Sequence, residues 1–125
     1  MSQHDFEIAN QGFPSFRSDL NSALQALASV SAGTSAPSTT FAYQFWYDST
    51  NQILKMRNGD DDAWISVFKF DQTNDHIETV YFDNWTITED ASGNLMFATG
   101  GTDRMKLDAS GNLSVEGDVT AFASL

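Results

Sequence analysis

Cysteine is absent from the sequence, which excludes disulfides, thiolate catalysis and cysteine-held metals, and leaves the redox compartment open. Bases are scarce. Six Lys and Arg stand against seventeen Asp and Glu, and the net charge of -11 repels nucleic-acid phosphates and anionic membrane surfaces, so neither is an expected partner. No apolar run reaches membrane-spanning length, so no membrane insertion is expected, and Met1-Ser2-Gln3-His4-Asp5 has nothing of a signal peptide. A Gly-rich phosphate loop, a GxSxG elbow and any Cys/His pairing are also missing. The 125 residues are nonetheless 41% hydrophobic, which is ordinary for a folded chain and argues against disorder throughout.

What is present is a repeat. Asp90-Ala91-Ser92-Gly93-Asn94-Leu95 recurs eighteen residues later as Asp108-Ala109-Ser110-Gly111-Asn112-Leu113. In each copy Asp can accept a turn hydrogen bond, Ala and Ser fit a type I turn, and Gly93 or Gly111 supplies the positive φ that follows. Apolar residues alternate beyond each tip, Leu95 with Phe97 and Leu113 with Val115, as a strand with one buried face requires. Thr99-Gly100-Gly101-Thr102 turns the chain between them. Such a hairpin is marginal alone, so its apolar face needs other copies of itself, most simply from other copies of the chain.

Taken in order, residues 1–14 carry Phe6, Ile8 and Phe13 without a sustained period and read as an arm that folds back or docks into a neighbour. From Ser15 the pattern turns helical, with Ser15 as cap, Asp19 in the first turn and Gly33 at the stop. Leu20, Ala23, Leu27 and Val30 form a narrow stripe flanked by Phe16 and Leu24. Packing on its own sheet and self-association both satisfy that stripe. Residues 1–34 thus read as an arm and a helix, and 35–40 are a linker by composition. Residues 41–70 read as a three-stranded meander: Phe41 to Tyr47, Ile53 to Arg57 and Trp64 to Phe70. The first strand places Phe41, Tyr43, Phe45 and Tyr47 on one face and Trp46 on the other. Residues 71–78 are a polar break. In 79–125 one strand from Thr79 to Thr88, with Trp85 and Ile87 inward, leads into the hairpin repeats, and the chain ends on apolar character from Val119 to Leu125. The fold class is mainly β with one N-terminal α-helix.

No residue stands out as catalytic, cofactor-binding or metal-ligating. Asp60-Asp61-Asp62 lacks the alternation of a calcium loop and reads as an acidic turn, while His4 and His76 read as solvated. Trp46, Trp64 and Tyr47 are the aromatics a glycan could stack on, with core positions the plainer reading.

Three stretches carry a resemblance. Met1-Ser2-Gln3-His4-Asp5, the string Arg17-Ser18-Asp19-Leu20-Asn21-Ser22-Ala23-Leu24-Gln25-Ala26-Leu27 and Pro37-Ser38-Thr39-Thr40 resemble the N-terminal region of bacteriophage tail-fibre proteins, especially those of cyanobacterial and marine hosts. Phe45 to Asn58, closing at Ala63-Trp64-Ile65, is similar to a β-meander module of phage structural proteins, and Gly101 to Asp108 onward resembles fibre-shaft repeats. The resemblance implies an elongated homotrimeric fibre of short β-hairpin modules, made in the host cytoplasm and carried on the virion. Its N-terminal arm would attach to another protein of the tail or baseplate. Phe16, Leu20, Ala23, Leu24, Leu27, Leu95, Phe97, Leu113 and Val115 are the expected trimer interface. Such fibres commonly carry a C-terminal intramolecular chaperone that cuts itself off, so Leu125 is either a cleavage-generated end or the end of a chain that assembles unaided. The short length implies a short fibre that contributes to host adsorption. A host-glycan-binding module, or a fibre of the baseplate or capsid, is the alternative.

Overall fold

In the computed structural model, which describes residues 3–120, one helix is followed by eight strands: α1 (Phe13–Ala28), β1 (Phe45–Asp48), β2 (Ile53–Arg57), β3 (Trp64–Asp71), β4 (His76–Tyr81), β5 (Trp85–Glu89), β6 (Leu95–Thr99), β7 (Thr102–Leu107) and β8 (Leu113–Val115). All strands pair antiparallel with their sequence neighbours in one sheet of order β1 to β8. Each strand contacts only the strands before and after it, and α1 packs on none of them. The sheet is thus a ladder, quasi-one-dimensional in the manner of repeat proteins.

Short Asx turns close the ladder at one end. Between β5 and β6, Asp90 Oδ1 accepts the amides of Ser92 and Asn94 at 2.8 and 2.9 Å, and Oδ2 accepts Asn94 Nδ2 at 2.8 Å. Asp108 binds Ser110 and Asn112 in the same way between β7 and β8. Gly93 and Gly111 have φ of 75° and 85°, where a Cβ would crowd the backbone. The same clasp also closes β1–β2, from Asp48 to Asn51, and β3–β4, from Asp71 to Asn74. There the left-handed residue follows the Asn, at Gln52 (φ 59°) and Asp75 (φ 58°). Residues 71–78 are therefore no gap in the sheet: Asp71 pairs with His76 across the turn. Thr79 to Thr88 is likewise two strands, because Phe82, Asp83 and Asn84 reverse the chain and Phe82 N–H donates to Trp85 O.

The helix departs from its expected boundaries. Gly12 caps it, Pro14 occupies the first turn where a missing N–H costs nothing, and Ser15 lies inside. Its end is a Schellman motif. Ser31 N–H donates to Ala26 O at 2.6 Å and Val30 N–H to Leu27 O at 3.2 Å. The left-handed position falls on Val30 (φ 47°), a β-branched residue, and not on Gly33. Val30 stays there because residues 30–33 line the outer edge of β1. Tyr47 N–H donates to Val30 O, Gly33 N–H to Tyr47 O and Ser49 N–H to Gly33 O, each near 3 Å. Gly33 is needed for a close approach instead, since a Cβ on it would fall 2.2 Å from Gln3 Nε2. Phe41 to Tyr43 are not strand: Tyr43 turns with φ 68°, which shortens β1 to Phe45–Asp48.

One backbone rule predicts opposite signs at two sites. Gly111→Val should lower the unfolding free energy by roughly 1–2 kcal/mol, and Val30→Gly should raise it by a similar amount less what the lost side chain contributes. Urea melts of both variants test this; a stabilised Gly111→Val would overturn the turn geometry.

Candidate functional site

Strand alternation gives the sheet two unlike faces. On one, the register aligns Tyr47, Leu54, Phe68, Val80, Ile87, Phe97, Met105 and Val115 in a row crossing all eight strands. Phe45, Met56 and Ile65 extend it beside β1 to β3, and Leu95, Leu107 and Leu113 beside β6 to β8. Glu89 sits at the rim, opposite Leu95. The row behind it on the other face reads Asp48, Ile53, Lys69, Thr79, Thr88, Met96, Lys106 and Ser114. One face is greasy and the other mainly polar, with Trp46, Asp48 and Thr79 buried on it.

Neither the row nor its flanks is covered. Among the described residues the buried apolar side chains are Ala23, Ala26 and Trp46, and no large side chain is fully buried. Trp85, expected inward, is 47% exposed, and Leu113 is 60% exposed. The whole chain exposes 8635 Å², where a compact 13.8 kDa monomer exposes about 6,600 Å², an excess of roughly 2,000 Å².

The helix repeats this arrangement in miniature. Asp19, Ala23 and Ala26, at spacings of four and three, face the N-terminal arm, so Ala23 is covered within its own chain and is not free for an interface. Phe13, Phe16, Leu20, Leu24 and Leu27 lie exposed on the flank next to it. Leu27 and Val30 share a hollow of about 370 Å³ with Phe6, Phe41 and Phe45, so the helical stripe adjoins the greasy sheet face at its β1 end.

The arm folds back. Gln3 Nε2 donates to Ser31 O and Ser35 O, and the Phe6 amide donates to His4 Nδ1 at 2.8 Å. That leaves His4 Nε2 to meet Asp19 Oδ1 at 2.8 Å, and the His4 hydrogen bond holds the Asp19 carboxyl below the usual aspartate range. His4, expected to be solvated, has a side chain only 9% exposed.

On the polar face Lys55 stands 4.7 Å from the Trp46 ring, Trp46 and Trp64 pack edge to face, and Arg57 stands 5.3 Å from Trp64. Asp48 anchors this stack through Lys55 Nζ at 3.0 Å. Burial works against the Asp48 charge, but hydrogen bonds from Asn51 and Lys55 outweigh it and hold the carboxyl below its usual range. Asp61 pairs with Arg57 and Asp62 with Asn58, in a turn where Asn and Asp exchange the roles of the other clasps. The two Trp residues considered for glycan stacking are thus engaged within the chain.

Sequence reasoning named Leu95, Phe97, Leu113 and Val115, which lie on the greasy face, but not the row itself. Its signal was present: Asp48-Ser49-Thr50-Asn51 and Asp71-Gln72-Thr73-Asn74 share D-x-T-N, and they mark the earlier rungs. Comparison with protein-family models, with curated proteins and with solved structures finds no match.

The clasps carry a pH signature. The Asn94 side chain and amide lower the Asp90 pKa, Asn112 does the same for Asp108, and Asn74 with Thr73 for Asp71. A carboxylate depressed in the folded state stabilises above its unfolded pKa of about 3.9, and that stability is lost as pH falls through the lower folded value. The melting temperature should therefore drop on acidification below about pH 4. In Asp90→Asn with Asp108→Asn the drop should be shallower; an unchanged slope would sink the clasp argument.

Proposed function

We propose that this chain is a structural virion protein, a short homotrimeric phage tail fibre attached to the particle through its N-terminal region and contributing to host adsorption. The observation that carries the reading is the apolar row that crosses eight strands with no layer over it. A sheet of this kind is unstable alone, because burying each Leu, Ile, Val or Phe contributes roughly 1.5 to 3 kcal/mol that a bare face forgoes. A standard interface removes about 800 Å² from each partner, so the exposed surface is ample for contact with other subunits.

The ladder suits a fibre for a further reason. Every strand depends only on its neighbours, so length is set by the number of hairpins and not by the radius of a core. The placement on a virion rests on the likeness of the N-terminal, meander and shaft strings to phage tail fibres. The arm and helix are the attachment segment in this reading, with the leucine side of α1 joining the subunits. An outward polar face of threonines, lysines and acids keeps the particle soluble.

Light scattering on the purified chain should give three times the 13.8 kDa subunit mass with an elongated shape. Leu24→Asp, at an exposed position of α1, should weaken association at least tenfold while leaving the circular dichroism of the sheet unchanged. A compact monomer at micromolar concentration would overturn the proposal.

A further inference from the structure

We infer that the subunits meet face to face on the Tyr47-to-Val115 row, with the threonine and lysine face turned to solvent, and that the occupant of the row is the same row of other copies of this chain. This rests on the self-assembly at the centre of the fibre reading and adds which surface is used.

Three observations choose a copy over another occupant. The first is shape and length. The row runs unbroken across eight strands, some 34 Å at the usual strand spacing of about 4.8 Å, and only a partner with an equally long apolar face can cover it. A second copy carries one by construction. The second is charge. At -11 the chain repels its own copies, yet the paired positions of this face hold one carboxylate, Glu89, at the rim; the lysines and most acids lie on the other face or at the turns. Face-to-face contact is the approach that keeps like charges apart. The third is the state of the edges. The outer edge of β1 is already paired to residues 30–33 of its own chain, so copies cannot extend the sheet side by side there. Faces are left. Leu27 of the helix shares a hollow with Phe45, beside the row at its β1 end.

The absence of cysteine allows a direct test. Ile87, near the middle of the row, and Thr86 are adjacent in β5 and point to opposite faces. Single variants Ile87→Cys and Thr86→Cys of the full chain are oxidised with diamide and run on non-reducing denaturing gels. Disulfide-linked dimer in Ile87→Cys, at least tenfold above that in Thr86→Cys, is the result expected. Equal linkage, or linkage through Thr86→Cys alone, overturns the face assignment, while a trimeric mass in the same samples would leave the fibre reading standing. Should Ile87→Cys fail to fold by circular dichroism, Val80→Cys, its partner in the row, takes its place with the same criteria. A wild-type chain that is monomeric by light scattering overturns both.

Discussion

An eight-stranded sheet with one apolar face needs a second layer, and this chain supplies none among its described residues. Its helix is too short and is placed beyond β1, where it contacts no strand. The connections between its strands are turns of a few residues, none long enough to fold back across the ladder. The features that distinguish the molecule follow from that deficit: a large exposed area, a core reduced to two alanines and a tryptophan, and side chains such as Phe97 and Ile87 left half-buried.

Keeping the row straight is the task of the turns. A slip of one residue in any strand would move its apolar set to the polar face, so register must be set locally in a ladder whose rungs know only their neighbours. The Asp–Asn clasp does this at four successive hairpins on one end, by capturing two turn amides and the Asn side chain on one carboxylate. Bulges at Leu54/Lys55, Lys69/Phe70 and Phe97/Ala98 shift the pairing, yet the row stays on one side because each extra residue is absorbed before or after it.

The junction of helix and sheet uses strain for position. Val30 in a left-handed conformation ends α1 and offers its carbonyl to Tyr47, so the segment that stops the helix is also the one that closes the β1 edge. His4 and Gln3 then pin the arm over the alanine side of the helix, which leaves the leucine side outward. The C-terminal end of the helix and the start of β1 thereby share one apolar hollow.

The sequence by itself determined the class, the hairpin tips at Asp90 and Asp108, and the alternation of Leu95 with Phe97 and of Leu113 with Val115, because these depend on residues a few positions apart. It also marked the helix, though not its ends, since Gly12, Pro14 and Val30 act through backbone geometry that composition does not display. What only the tertiary structure decided was which apolar residues line up. Tyr47, Leu54, Phe68 and Val80 come from four different strands, and their alignment depends on bulges and on turns of two unlike patterns. Ala23 shows the same limit from the other side. Periodicity groups it with Leu20 and Leu27, but the arm that covers it arrives from residues fifteen or more positions away, and no local pattern announces that contact.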